Sequence, residues 1–174
     1  NNSVRDTEPI PLLIGTIGGV DAYGYRARIS GDTLGPLFNW IDISGSGNVV
    51  DGLSNDDPAG PFDTGFEFPF YNLRYDQFWV SPNGHIALFR PGRVADNAQF
   101  PSFLASIASI NPFWDDLDPT LGGEVYYDSN NSDSLIVSFN NVSSANGVYD
   151  YTFQIVLTSD GNIKFNYLEI NGNV

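Results

Sequence analysis

The chain has no cysteine and no methionine, and it has one histidine and one lysine among 174 residues. Without cysteine there is no disulfide and no thiolate metal site, so the fold must hold by packing alone or with hard metal ions. A length just above the usual single-domain size suffices for that, because it buries a substantial core without staples. Lys and Arg number 7 against 21 Asp and Glu, a formal net charge of -14. Phosphate backbones and anionic lipid surfaces are held by clustered Lys and Arg, so neither nucleic acid nor a membrane surface fits this chain as a partner. Long apolar runs are missing as well. The longest mainly apolar stretch, residues 10–20, is broken by Pro11, Gly15, Gly18 and Gly19 and falls short of the roughly 20 residues that span a bilayer, so no membrane insertion is expected. Charged residues make up only 16% while aromatics reach 14%, the opposite of a disordered acidic tail.

What is present is period-two patterning, the spacing that sends one face of a strand into a core. It runs through Phe66, Phe68 and Phe70, then Phe78 and Val80, Ile86 and Leu88, and Leu135, Val137 and Phe139. It continues through Tyr151, Phe153, Ile155 and Leu157 to Ile163, Phe165 and Tyr167. The turn sequences Pro82-Asn83-Gly84 and Ser159-Asp160-Gly161-Asn162 join two pairs of these runs and predict β-hairpins. Residues 102–110 have helical spacing at Phe103, Leu104, Ile107 and Ile110, but Pro101 and Pro112 confine them to a short cap or loop. Residues 20–43 read as one or two strands. Residues 44–65 read as a long surface loop that could conceal a short strand at Val49 and Val50. Short strands at regular intervals without alternating helices predict an all-β fold, an antiparallel β-sandwich or jelly roll, with an additional N-terminal extended strand.

Several motifs carry a resemblance. Phe66-Glu-Phe-Pro-Phe-Tyr71 is followed by Phe78-Trp-Val-Ser-Pro-Asn-Gly84, by Asn111-Pro-Phe-Trp-Asp-Asp-Leu-Asp118, and by Thr152-Phe-Gln-Ile-Val-Leu157 with Gly161-Asn-Ile-Lys-Phe165. Taken in order, with the lead-in Asp21-Ala-Tyr-Gly-Tyr25 and Phe38-Asn-Trp-Ile-Asp42, these resemble the nidogen-like domains of secreted bacterial proteins. The resemblance implies an all-β extracellular module that accompanies proteases, adhesins and surface proteins, and it implies no defined chemistry. His85 departs from the family pattern, which more often has an aromatic or aliphatic residue after the turn. Family members also continue past the last apolar strand into another, whereas this chain stops at Val174; on that comparison the sandwich is one strand short. Residues 1–19 are therefore expected to be an extension and candidate donor strand, and residues 20–174 the nidogen-like domain.

Candidate sites follow from residue types. A Ser-His-Asp triad could use only His85, and a histidine beside a hairpin turn is ordinarily an exposed strand residue. Paired carboxylates could cleave glycosides, but with 21 acids some pair always lies at a suitable separation, so abundance carries no information. The chain is accordingly expected not to be an enzyme. Asp115, Asp116 and Asp118 form the densest run of hard oxygen donors, a candidate calcium site with Asp56 and Asp57 as second contributors, although no EF-hand pattern follows. Against this, the acids could simply cap a turn and keep a sheet edge soluble. Trp40, Trp79 and Trp114 could form a sugar platform, but their apolar contexts point to core packing. Asn1, Asn130 and Asn141 begin N-x-Ser sequons and are glycosylation candidates.

The segment Glu8-Pro-Ile-Pro-Leu-Leu-Ile-Gly-Thr-Ile17 lies outside the family-like region and holds Ile10, Leu12 and Ile14 at period two. An extended apolar segment beside a domain one strand short is what strand addition between subunits requires. Head-to-tail donation makes an open homopolymer unless the rotation closes it into a ring. The alternative is that the segment completes its own sandwich as an edge strand. The start at Asn1 rather than Met fits either a mature product after leader removal or an excised piece of a longer chain, and the first, extracellular or at the cell surface, is the expectation. The function expected is a structural subunit of an extracellular fibre, with a calcium-dependent adhesive module that binds surface glycans or peptides as the alternative.

Overall fold

The computed structural model describes residues 20–89 and 108–170. Among them there is no helix, and nine strands form two antiparallel sheets. The expected β-sandwich is what forms. After β1 (Asn48–Val49), the chain builds one sheet as a meander of β2 (Ala59–Phe70), β3 (Leu73–Ser81), β4 (His85–Ala87) and β5 (Ser109–Ile110). It then crosses over and builds the second as β6 (Glu124–Ser129), β7 (Ser134–Ser143), β8 (Asp150–Thr158) and β9 (Ile163–Ile170), with β1 pairing on the far side of β6. Both expected hairpins are present, closing at Ser81 opposite His85 and at Leu157 opposite Ile163.

Alternation decides what faces inward. Phe68, Phe78, Val80 and Ile86 of the first sheet meet Leu135, Val137, Phe139, Phe153, Ile155 and Leu157 of the second, and all are fully buried. Phe139 and Phe153 are directly opposite in register and stack with centroids 4.6 Å apart. Burying such side chains is the dominant favourable term, and truncating one costs about 3 to 5 kcal/mol because the cavity does not fully collapse.

Residues 20–43 form no strand, contrary to the sequence reading. Part of this stretch closes local backbone turns, and at Asn39 and Ile41 the backbone groups are satisfied by side chains of the second sheet instead. Gln154 of β8 offers its amide like a neighbouring strand, accepting from Ile41 N at 3.2 Å and donating to Ile41 O at 3.0 Å. Asn166 of β9 donates to Asn39 O at 3.0 Å and to Gln154 Oε1 at 3.0 Å. Residues 39–43 thus cross the outer face of the second sheet as a strap, and Ile43 is buried. This explains why Ser138, Gln154 and Asn166, in register across three strands, are buried despite facing away from the core.

Other boundaries also shift. The loop expected over residues 44–65 ends at residue 58, because β2 begins at Ala59, while the strand suspected at Val49 exists as β1. Ser109–Ile110, expected in a cap or loop, pairs with β4 as β5; residues 102–107 lie outside the described residues. The strand β6 has no counterpart among the alternating runs of the sequence. The expected N-terminal strand, with Ile10, Leu12 and Ile14, also lies outside the described residues, as does Asn1.

Candidate functional site: the loop at residues 111–118 and the β9 edge

Two of the quoted motifs meet in space. The β3–β4 turn at Pro82-Asn83-Gly84 carries the loop at residues 111–118, and Asn83 is the peg: buried, it accepts from Leu117 N through Oδ1 at 3.1 Å. Gly84 makes the close approach possible. Its φ is +80°, and a Cβ there would sit 1.8 Å from the Phe113 carbonyl oxygen. Docked in this way, Phe113 packs on Tyr151 and Phe153 at 4.6 and 5.5 Å, and Leu117 is fully buried. The loop is tied to the second sheet where Asp118 N donates to Ser143 O and Ala145 N to Asp116 O.

His85 is buried at 4% exposure, which corrects the expectation of an exposed strand residue. Its partner Ser81 in the register begins a hairpin that the loop covers, so the ring lies beneath residues 111–118 rather than at the surface. Nδ1 lies 3.4 Å from Asn83 O, and the ring meets Trp114 edge-on at 5.8 Å. Burial pushes the imidazole down to about 4, partly opposed by the contact with Asn83. His85 is therefore neutral at physiological pH and sits away from solvent, where a general base has to meet its substrate.

The acids of the run have different surroundings. Asp118 is buried, and its Oδ1 holds Thr120 N at 2.9 Å and Thr120 Oγ1 at 2.6 Å. Asp115 is exposed and its Oδ1 accepts from Asp116 N at 2.9 Å. Among the described residues no group of three acidic or histidine side chains is arranged to hold a metal ion. Asp115, Asp116 and Asp118 are hard donors of the right kind for calcium, but in this arrangement they do not form one ligand set. Asp56 and Asp57 lie just before β2, Asp56 with a buried Oδ1 that makes no hydrogen bond.

The tryptophans depart from expectation. Trp40, Trp79 and Trp114 are all half-buried, and none belongs to the core. Trp79 follows Phe78 and precedes Val80, both fully buried, so alternation turns it to the outer face, against Gly60. Of the sequons, Asn130 closes the β6–β7 turn: its Oδ1 accepts from Ser132, Asp133 and Ser134 N, and its Nδ2 donates to Asp133 at 2.6 Å. Asn141 lies exposed in a bulge of β7 with φ +54°.

Four strands end the two sheets, and they are not equivalent. β1 and β5 are two residues long, and β2 contains Pro61 and Pro69, which lack an N–H. β9 has eight residues without proline or glycine, pairs with β8 on one side, and has no partner strand on the other among the described residues. Phe165 at 38%, Tyr167 at 44% and Leu168 at 54% exposure leave apolar surface along it. Tyr167 Oη donates to Pro112 O at 2.7 Å, so the loop at residues 111–118 adjoins this edge. An open strand of this kind is a template for another strand.

A sandwich of two antiparallel meanders, strapped across one face and locked at one turn by a docked loop, defines a nidogen-like β module. The family model described as NIDO related matches residues 34–174, and the chain belongs to that family, an extracellular type of domain. No curated protein and no solved structure matches the chain. Among the described residues no helix is long and apolar enough to cross a membrane.

Proposed function

We propose that this chain is a non-enzymatic structural subunit of an extracellular filament, in which residues 10–17 of one copy add as a strand to β9 of the next. The observation that carries the reading is the β9 edge: eight residues long, free of proline and glycine, and flanked by exposed Phe165, Tyr167 and Leu168. Main-chain hydrogen bonds along that edge would supply affinity, and the alternate side chains Ile10, Leu12 and Ile14 would extend the apolar row. Each is worth about 1.5 to 3 kcal/mol when removed from water, enough for a lasting contact after ordering costs. Donor and acceptor are different surfaces, so the contact is head to tail and propagates.

Leu12→Asp places an unpaired charge in that contact and is expected to abolish polymerisation. Removing residues 1–17 is expected to do the same while the domain still folds. Normal filaments from the Leu12→Asp protein would sink the reading. Filaments that dissolve on chelation would bring calcium, with Asp115, Asp116 and Asp118 as its candidate donors, into the assembly.

A further inference from the structure

The β2–β3 turn holds an aromatic cluster that the assembly reading does not use. Asp21 Oδ1 accepts from both Tyr23 N and Tyr25 N at 2.8 Å, which folds residues 21–25 into a tight turn. That turn sets Tyr23 against Tyr71, with centroids 4.9 Å apart and planes at 86°, and Tyr25 against Phe70 and Tyr71 at 6.0 and 5.2 Å. Tyr25 Oη donates to Pro69 O at 3.3 Å and so anchors the group. Tyr23 and Tyr71 remain 55% and 50% exposed.

Tyr71 is an outlier for stability. Its φ is +52°, a left-handed conformation that favours Gly or Asn and that a bulky residue adopts at a cost. Its ring contacts with Tyr23, Tyr25 and Phe70 offset part of that cost, yet half of the ring is left open to solvent. An observed outlier of this kind is a pointer to function.

We propose that Tyr23 and Tyr71, backed by Tyr25 and Phe70, form a binding site for a neutral glycan. Two exposed rings at right angles make a corner, suited to a pyranose that presents its C–H face to one ring and its hydroxyls outward. Asp21, Asn72 and Arg74 are exposed around the corner and offer acceptors and donors for those hydroxyls. A few rings fall well short of the roughly 800 Å² per partner that a stable protein interface buries, which favours a sugar over a protein. The net charge of -14 disfavours sulfated or uronate polymers.

Affinity electrophoresis in native gels cast with neutral polysaccharides (glucans, mannans, galactans) or with sulfated ones tests this directly. At least one neutral polymer is expected to retard the wild-type protein. Tyr71→Asn, which suits the left-handed backbone and keeps the fold, is expected to weaken the interaction at least tenfold without lowering Tm, and Tyr23→Ala to do likewise. Retardation by no neutral polymer, retardation only by sulfated ones, or retardation unchanged in both variants would overturn the proposal.

Discussion

His85 makes stability depend on pH through the burial of its ring. Its folded value is about 4 against an ordinary 6.5, so the unfolded chain takes up the proton first as pH falls. Stability is therefore full above pH 6.5, declines between 6.5 and 4, and stays reduced below that. With those two values the site removes about 2 kcal/mol between pH 7.5 and 5.0, equivalent to about 4 to 8 °C in Tm for a domain of this size. Asp42 and Asp160, held below 3.8 by hydrogen bonds from Ser44 and Thr158, lose their contribution only at lower pH. Urea unfolding followed by tryptophan fluorescence at both pH values, for untagged wild type and His85→Gln, isolates the effect. The variant is expected to be less stable at pH 7.5 yet to lose almost nothing further at pH 5.0. Because the chain has 1 His, its ring protons can also be titrated without assignment. Equal losses in both proteins, or a ring that titrates near 6.5, would refute the burial argument.

Three further outcomes probe the packing. Gly84→Ala, which drives a Cβ to 1.8 Å from Phe113 O, is expected to lower stability far more than Gly147→Ala, where nothing lies within 4 Å. In calorimetry the first change should cost about 3 kcal/mol or more, and the second only the left-handed strain of about 1 kcal/mol. Gln154→Ala orphans Ile41 N and O and should cost roughly 2 kcal/mol or more; limited proteolysis should then cut first in residues 39–43. Phe153→Ala should cost about 3 to 5 kcal/mol in urea unfolding.

Period two made the core strands legible, since Phe68, Phe78, Phe139 and Phe153 each sit in an alternating run and each faces inward. β6 was hidden because Val125 is followed by two tyrosines, of which only Tyr127 packs on the core, so the alternation is masked. The strap was misread because its partners are side-chain amides from residues more than a hundred positions away, Gln154 and Asn166, and no local pattern encodes that. The same holds for the site. Asn83-Gly84 reads as a turn, and that is correct. That the turn receives the loop at residues 111–118 and buries His85 depends on a long-range contact. Tyr71 stands in the sequence only as the last residue of the Phe66-Glu-Phe-Pro-Phe-Tyr71 motif, and its left-handed φ and its ring contacts are visible only in the fold. Trp79 escapes the sequence reading because a large apolar residue fits an outer face packed on glycine, here Gly60, as readily as a core.

Negative-stain electron microscopy of the purified chain at micromolar concentration, with sizing in solution and with and without a calcium chelator, tests strand addition most directly. Regular filaments, absent for Leu12→Asp, are the predicted result. A monodisperse monomer under every condition would contradict it, and would mean that residues 10–17 complete their own domain.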